Sequence, residues 1–188
     1  MAVLPIRITG DPVLHTVARE VTDFDESLVT LVRDMEETME AAPGVGLAAP
    51  QVGVPLRVFV YDWTDEQGAR HHGTAINPQL LIAPLPVGVP DADADSEGCL
   101  SIPGERFPVT RSRTALLRAL DLEGTPFELL ATGWLARIFQ HEFDHLDGVL
   151  YADRLREGDA RAAQRAIRRN KWGVPGLSWL PGVDDLEG

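Results

Sequence analysis

Cysteine occurs once in the 188 residues, at Cys99, so no disulfide can form within the chain. A lone thiol points to a reducing compartment. Lysine is as scarce: sixteen of the seventeen basic residues are arginine and only Lys171 is lysine, a coding bias from which no function follows. Positive charge falls short as a whole, with 17 basic residues against 29 acidic ones. The net charge of −12 argues against a general nucleic-acid binder. No run approaches the ~18 apolar residues of a membrane span, and the opening "MAVLPIRITG" is too short and interrupted for an export signal. A cytoplasmic protein without a membrane partner is expected.

What is present is ordinary for a globular domain, 44% hydrophobic and 24% charged, and the length suits one domain spanning 1–188. Asp25 to Ala41 reads as a helix, with Leu28, Leu31, Val32, Met35 and Met39 at three-four spacing and Pro43-Gly44 ending it. Leu56 to Asp62 reads as a strand, "TDEQGARHHG" as a polar turn, and Ala75 to Ile82 as a second extended piece. Proline and aspartate make Ala83 to Ser96 a surface loop, to which no role is assigned. A hairpin turning at Glu123-Gly124 is followed by helices over Gly133 to Leu146 and about Arg154 to Lys171. From about residue 173 the tail has too much glycine and proline for regular structure. The expected fold class is α+β.

The stretch "QHEFDHLDG" carries the chemistry. On a helix, His141 and His145 share one face, as do Trp134 and Ile138, so the histidines lie on the buried side and can grip one metal ion. A buried Glu142 with no task would be costly. Catalytic metal sites usually have three protein ligands and one open position, so a third is needed. One protease pattern places a histidine where this chain has Tyr151; another uses a downstream glutamate, and the nearest, Glu157, lies in an arginine-rich, solvent-facing segment. Upstream, "SEGCLSIPG" supplies Cys99, whose thiolate is a strong ligand for zinc or ferrous iron. Cys99, His141 and His145 form the candidate metal set.

The glycine-rich "PGVGLAAPQVG" contains a G-x-G-x-x-A string, but a helix precedes it and Pro50 and a strand follow, the reverse of a dinucleotide fingerprint. No lysine is there to serve a phosphate loop. The alternative is an extended edge whose glycines let a peptide approach the backbone, with Gln51 offering an amide donor.

Together, "GVGLAAPQ", "EGCLS" and "HEFDH" resemble the three motifs of the peptide deformylase family, all matched without substitution. The arginine-rich helix and the "WGVPGLSWLPG" tail resemble its actinobacterial branch. The resemblance implies hydrolysis of the formyl group from the N-formylmethionine of new polypeptides, releasing formate. It implies that Cys99, His141 and His145 hold one divalent ion, ferrous iron in cells and zinc or nickel in purified samples. Glu142 becomes the general acid/base, Gln51 and the backbone N–H of Leu100 the oxyanion donors, and Val45 and Gly46 the backbone contacts to substrate. The expected architecture is antiparallel strands around a central helix bearing the histidines, with an N-terminal and a C-terminal helix. Trp134 and Ile138, a turn above His141, are placed to line a methionine pocket. A metallopeptidase cleaving internal peptide bonds is the alternative.

Asp153 to Trp172 carries seven basic residues against three acidic ones, so the rest of the chain stands at −16. Leu155, Ala162, Ala163, Ala166 and Ile167 supply an apolar stripe, with Arg161, Arg165, Arg168 and Arg169 mostly outside it. A basic helix on an acidic enzyme suits a weak, salt-sensitive contact with the phosphate-dense ribosome, where formylated chains emerge.

Overall fold

The computed structural model describes residues 2–184 and 186. A short strand β1 (Ile6–Arg7) leads to helix α1 (Glu26–Ala41) and strand β2 (Gly46–Ala48), then to a hairpin of β3 (Val58–Thr64) and β4 (Arg70–Ile82). The Asp/Pro loop follows, then β5 (Ser96–Cys99) and β6 (Ile102–Pro108), a hairpin of β7 (Thr114–Leu120) and β8 (Pro126–Thr132), and helix α2 (Gly133–Leu146). Helix α3 (Glu157–Arg169) and strand β9 (Ser178–Trp179) complete the order. The fold is α+β, with an antiparallel five-stranded sheet in the order β2-β3-β4-β7-β8 and two separate two-stranded pairs, β5–β6 and β1–β9.

The run Val58-Phe59-Val60-Tyr61 explains how the sheet is dressed. Side chains alternate between faces along a strand. Val58 and Val60 join Leu28, Val32, Met35 and Met39 of α1 in one cluster, whereas Phe59 and Tyr61 join Leu135, Ala136 and Phe139 of α2 in another. Both faces of β3 are therefore covered by helices, which is why its sequence is continuously apolar rather than alternating. Phe139 meets Tyr61 edge-on at 5.0 Å between ring centroids and Phe59 at 5.9 Å. Truncating Phe139 to alanine would cost roughly 3–5 kcal/mol.

Local chemistry sets the ends. The Asp25 carboxylate accepts from the backbone N–H groups of Ser27 and Leu28, capping α1. Beyond α2 the chain turns at Gly148, with φ +72°, where a Cβ would lie 2.8 Å from the backbone nitrogen of Thr16. Only glycine fits both that conformation and that approach.

Three expectations are corrected. The strand β4 begins at Arg70, so the polar turn shrinks to 65–69; Arg70 pairs with Asp62 and His71 with Asp65, and such polar cross-strand pairs hide a strand from an apolar-pattern reading. The arginine-rich segment breaks into a 3-10 turn at Tyr151–Arg154 before α3 starts at Glu157. The tail is not wholly irregular, because β9 pairs with β1 and Trp179 is buried. Its partner lies at the other end of the chain, out of reach of any local pattern.

Candidate metal centre

Helix α2 lies against the sheet with its histidine face turned toward β5 and β2. The i, i+4 spacing brings the rings of His141 and His145 to 5.1 Å between centroids. Cys99, the last residue of β5, places Sγ 3.3 Å from His145 Nε2. Ligand atoms of Cys99, His141 and His145 all lie within 4.8 Å of one another. Burial, with the charges of His141 and Arg111, holds the His145 imidazole well below its ordinary pKa, in the neutral form a metal requires.

The other protease ligand sets are not available. Tyr151 is buried, but its hydroxyl donates to the Glu105 carbonyl at 2.8 Å. Glu157 sits 80% exposed on α3, paired with Arg161.

Glu97 stands two residues before Cys99 and directs His141. The Nδ1–H of His141 donates to Glu97 Oε2 at 3.0 Å, which orients the ring so that loss of the other ring proton to an incoming metal would leave Nε2 as its donor atom. Arg111 clasps the same carboxylate with Nε and Nη2, each at 2.9 Å, and Arg137 Nη1 adds a bond at 2.7 Å. Burial by itself raises the Glu97 carboxyl, but the hydrogen bonds of His141 and Arg111 and the Arg111 charge outweigh it, holding the group well below the usual carboxylate range. The third nitrogen of Arg111 donates to Asp144 Oδ2 at 2.6 Å, and Arg154 clasps both oxygens of Asp144.

Glu142 faces the other way, toward β2. Burial is the main cause that pushes its carboxyl up to about 7, a value suited to passing a proton near neutral pH. Its Oε2 and His145 Nδ1 are buried without a partner in the protein. The orphaned Glu142 oxygen beside a converging thiol and two imidazoles fits a site completed by an ion and water.

Gln51 is buried, not solvated. From a 3-10 turn (Ala49–Val52) its Oε1 accepts from the Ala48 N–H at 2.8 Å, which aims Nε2 at Ser101 Oγ, 3.4 Å away, and toward Cys99 Sγ. Leu100 follows Cys99 at the turn, where its carbonyl accepts from Trp179 Nε1 at 2.8 Å. These groups open on a cleft of about 300 Å³, also lined by Val45, Gly46, Trp63, Trp134 and Ile138. Gly46 lies on β2, an edge of the five-stranded sheet, so its outer side pairs with no other strand of that sheet.

A profile described as polypeptide deformylase matches residues 3–161. A peptide deformylase of Mycobacterium sp. (strain JLS) is 52% identical over 191 residues, covering 98% of this chain and 97% of that protein. One from Mycolicibacterium paratuberculosis is 52% identical over 189 residues, covering 97% and 96%. The crystal structure of peptide deformylase from Thermus thermophilus is similar at TM-score 0.76 and 40% identity, with 89% of this chain and 94% of that one covered. A plant peptide deformylase gives TM-score 0.79 at 33% identity, covering 94% and 96%.

The chain belongs to the polypeptide deformylase family. Membership accounts for the metal group, and the mycobacterial relatives cover nearly the full length of the chain. A metallopeptidase is not favoured. The deformylase site also contains residues that sequence reasoning passed over: Glu97, Arg111, Arg137, Asp144 and Trp63. A signal for two was legible. Arg137 lies four residues before His141 on the buried face of α2, and Glu97 lies two residues before Cys99, so both charges had to find buried partners. Arg111, on the segment between β6 and β7, gives no such sign.

Proposed function

We propose that the cleft removes the formyl group from N-formylmethionyl nascent peptides in the cytoplasm, as a single catalytic domain spanning 1–188. The supporting observation is the meeting of Cys99, His141 and His145 beside a buried Glu142 with an unpartnered oxygen. Cys99, His141 and His145 would hold one divalent ion, ferrous iron in cells, with zinc or nickel able to replace it in purified samples. Such an ion would supply Lewis acidity and lower the pKa of a bound water.

The protein's own residues do the rest. Backbone groups of Val45 and Gly46 on the β2 edge hold the peptide in an extended form. Trp134 and Ile138 receive the methionine side chain. Gln51 Nε2 and the backbone N–H of Leu100 donate to the oxygen on which charge develops, and losing one such donor typically costs ~10²–10³ in turnover. Glu142 takes the water's proton and delivers it to the leaving amine. The small formyl group lets the site close tightly around it. Formate release from formyl-Met-Ala-Ser by anaerobically prepared protein tests the activity; its absence would overturn the reading. Cys99→Ser should lower metal content, and an unchanged content and rate would place the third ligand elsewhere.

No helix among the described residues is long and apolar enough to cross a membrane. The partners are the nascent chain and, through α3, the ribosome; no specific nucleic-acid sequence is read. Ala163 and Ala166 bury the inner stripe of α3, while Arg165 and Arg168 stand exposed. Arg161 and Arg169 are partly neutralised by Glu157 and Glu105.

A further inference from the structure

A second cavity, of about 440 Å³, lies beneath the Asp/Pro loop, between Pro86–Pro90 and the segment that leads into β7. Trp134 and Arg137 line both this cavity and the substrate cleft. Arg137 therefore stands between the two. Its guanidinium lies over the Trp134 ring, 5.3 Å from the centroid. Nη1 donates to Glu97 Oε1, on the cleft side, and Nη2 donates at 2.5 Å to Asp95 Oδ1, on the side of the second cavity. Nη1 also reaches the carbonyls of Asp95 and Val109. With only 9% of the side chain exposed, it cannot swing aside without leaving buried acceptors unpaired.

We propose that Arg137 is a specificity-determining residue, a wall that separates the cleft from the cavity under the Asp/Pro loop and limits the length of the N-terminal side chain the cleft accepts. This rests on the cleft being the formyl-peptide site. Charge is not what the wall presents, because Glu97 and Asp95 neutralise the guanidinium; toward an apolar side chain its effect is volume. The Asp/Pro loop gains a task, since Asp95 fixes the wall from the loop side. Without the wall, about 300 Å³ joins about 440 Å³, room for an unbranched chain much longer than that of methionine.

The test compares kcat/KM for two formylated tripeptides that differ only in the first residue, methionine or 2-aminodecanoic acid. Arg137→Ala should raise the ratio of long to methionine substrate at least about tenfold. Arg137→Met, which keeps most of the volume and drops the charge, should leave the ratio near that of the unaltered enzyme. Dissociation constants of the same peptides in a Glu142→Gln background read the wall without turnover and should shift in the same sense. An equal fall for both substrates in Arg137→Ala, with the ratio unchanged in rate and in binding, would mean the arginine only supports the fold and would overturn the proposal. If Arg137→Ala does not accumulate as folded protein, Asp95→Ala loosens the wall from the loop side, and an unchanged ratio there overturns it equally. Failure of the unaltered chain to release formate would instead remove the deformylase reading, and the binding ratio would still decide the wall.

Discussion

Gly46→Ala adds a single methyl group to β2, and the structure says where it goes. A Cβ built there would lie 2.8 Å from Glu142 Cδ and 2.9 Å from Cγ, and nearer still to Oε1. Ordinary contact begins at 3.4 Å, so the carboxylate has to retreat by well over half an ångström. The backbone raises no objection, because Gly46 is not among the positive-φ residues and the same strand already carries Ala48. The pairing of Gly46 with Tyr61 on β3 is also kept. The whole cost therefore falls on the position of Glu142, while Cys99, His141 and His145 are untouched. A misplacement of about 1 Å at a reacting group costs on the order of 10²-fold in rate. We expect kcat for formate release to fall by about that factor, with metal content per chain and thermal midpoint close to those of the unaltered enzyme. A kcat within about threefold of the parent would refute the reasoning, since a factor that small leaves the carboxylate where it was. Loss of metal would refute it differently, by placing Gly46 against a ligand.

Glu142→Ala should retain metal yet lose roughly 10²–10⁴ in turnover, read by metal analysis beside formate release; near-normal turnover would sink the assignment. Glu97→Gln should weaken metal affinity by about 10–100-fold, measured by competition with a chelator, because one neutral amide oxygen replaces the two charged oxygens shared by His141, Arg111 and Arg137. The same variant carries a pH signature. The folded Glu97 carboxyl is depressed below its unfolded value of about 4.3, so its stabilisation is complete above that pH and lost as pH falls through the folded pKa. The thermal midpoint of the parent should therefore drop more steeply below about pH 4 than that of Glu97→Gln. Changing Arg165, Arg168 and Arg169 to glutamine should reduce low-salt co-sedimentation with ribosomes and leave turnover of a short formylated peptide intact. Equal co-sedimentation would exclude that contact.

How far the sequence reveals this molecule depends on the range over which each feature is encoded. The helix bearing His141 and His145 is written in a three-four pattern, and its bounds Gly133–Leu146 agree with expectation. The hairpin of β7 and β8 turns at Glu123-Gly124, where Gly124 has φ +74° and the Asp121 carboxylate gathers the N–H groups of Glu123 and Thr125. Both are local. The joining of Cys99 to the histidines is not, and it was legible only because two ligands on one helix face demand a third. Trp179 shows the limit. It sits in a glycine- and proline-rich tail, yet is buried through pairing with β1 and donates to the Leu100 carbonyl. Features whose cause is a partner far along the chain stay hidden until the fold is seen.

The buried charges around Glu97 raise a last question, since Arg111, Arg137, Glu97 and Asp144 are a costly way to fill space. Arg111 and Glu97 are each 4% exposed, and at such depth a well-packed apolar replacement is often as stable or more so. Stability is thus a poor reason for the network. Position is a better one. The metal ligands are divided between β5, which carries Cys99, and α2, which carries the histidines. Apolar packing between a strand and a helix tolerates small slides, because one contact replaces another at little cost. Directional bonds do not. Glu97 on β5 is tied to His141 and Arg137 on α2, and Arg111 ties Glu97 to Asp144 on the same helix. Any slide of β5 along α2 stretches several of these bonds together and leaves buried charge unpaired. A metal centre tolerates errors of only about 0.5 Å in its ligands. An apolar replacement of the network could keep the fold and still lose that register.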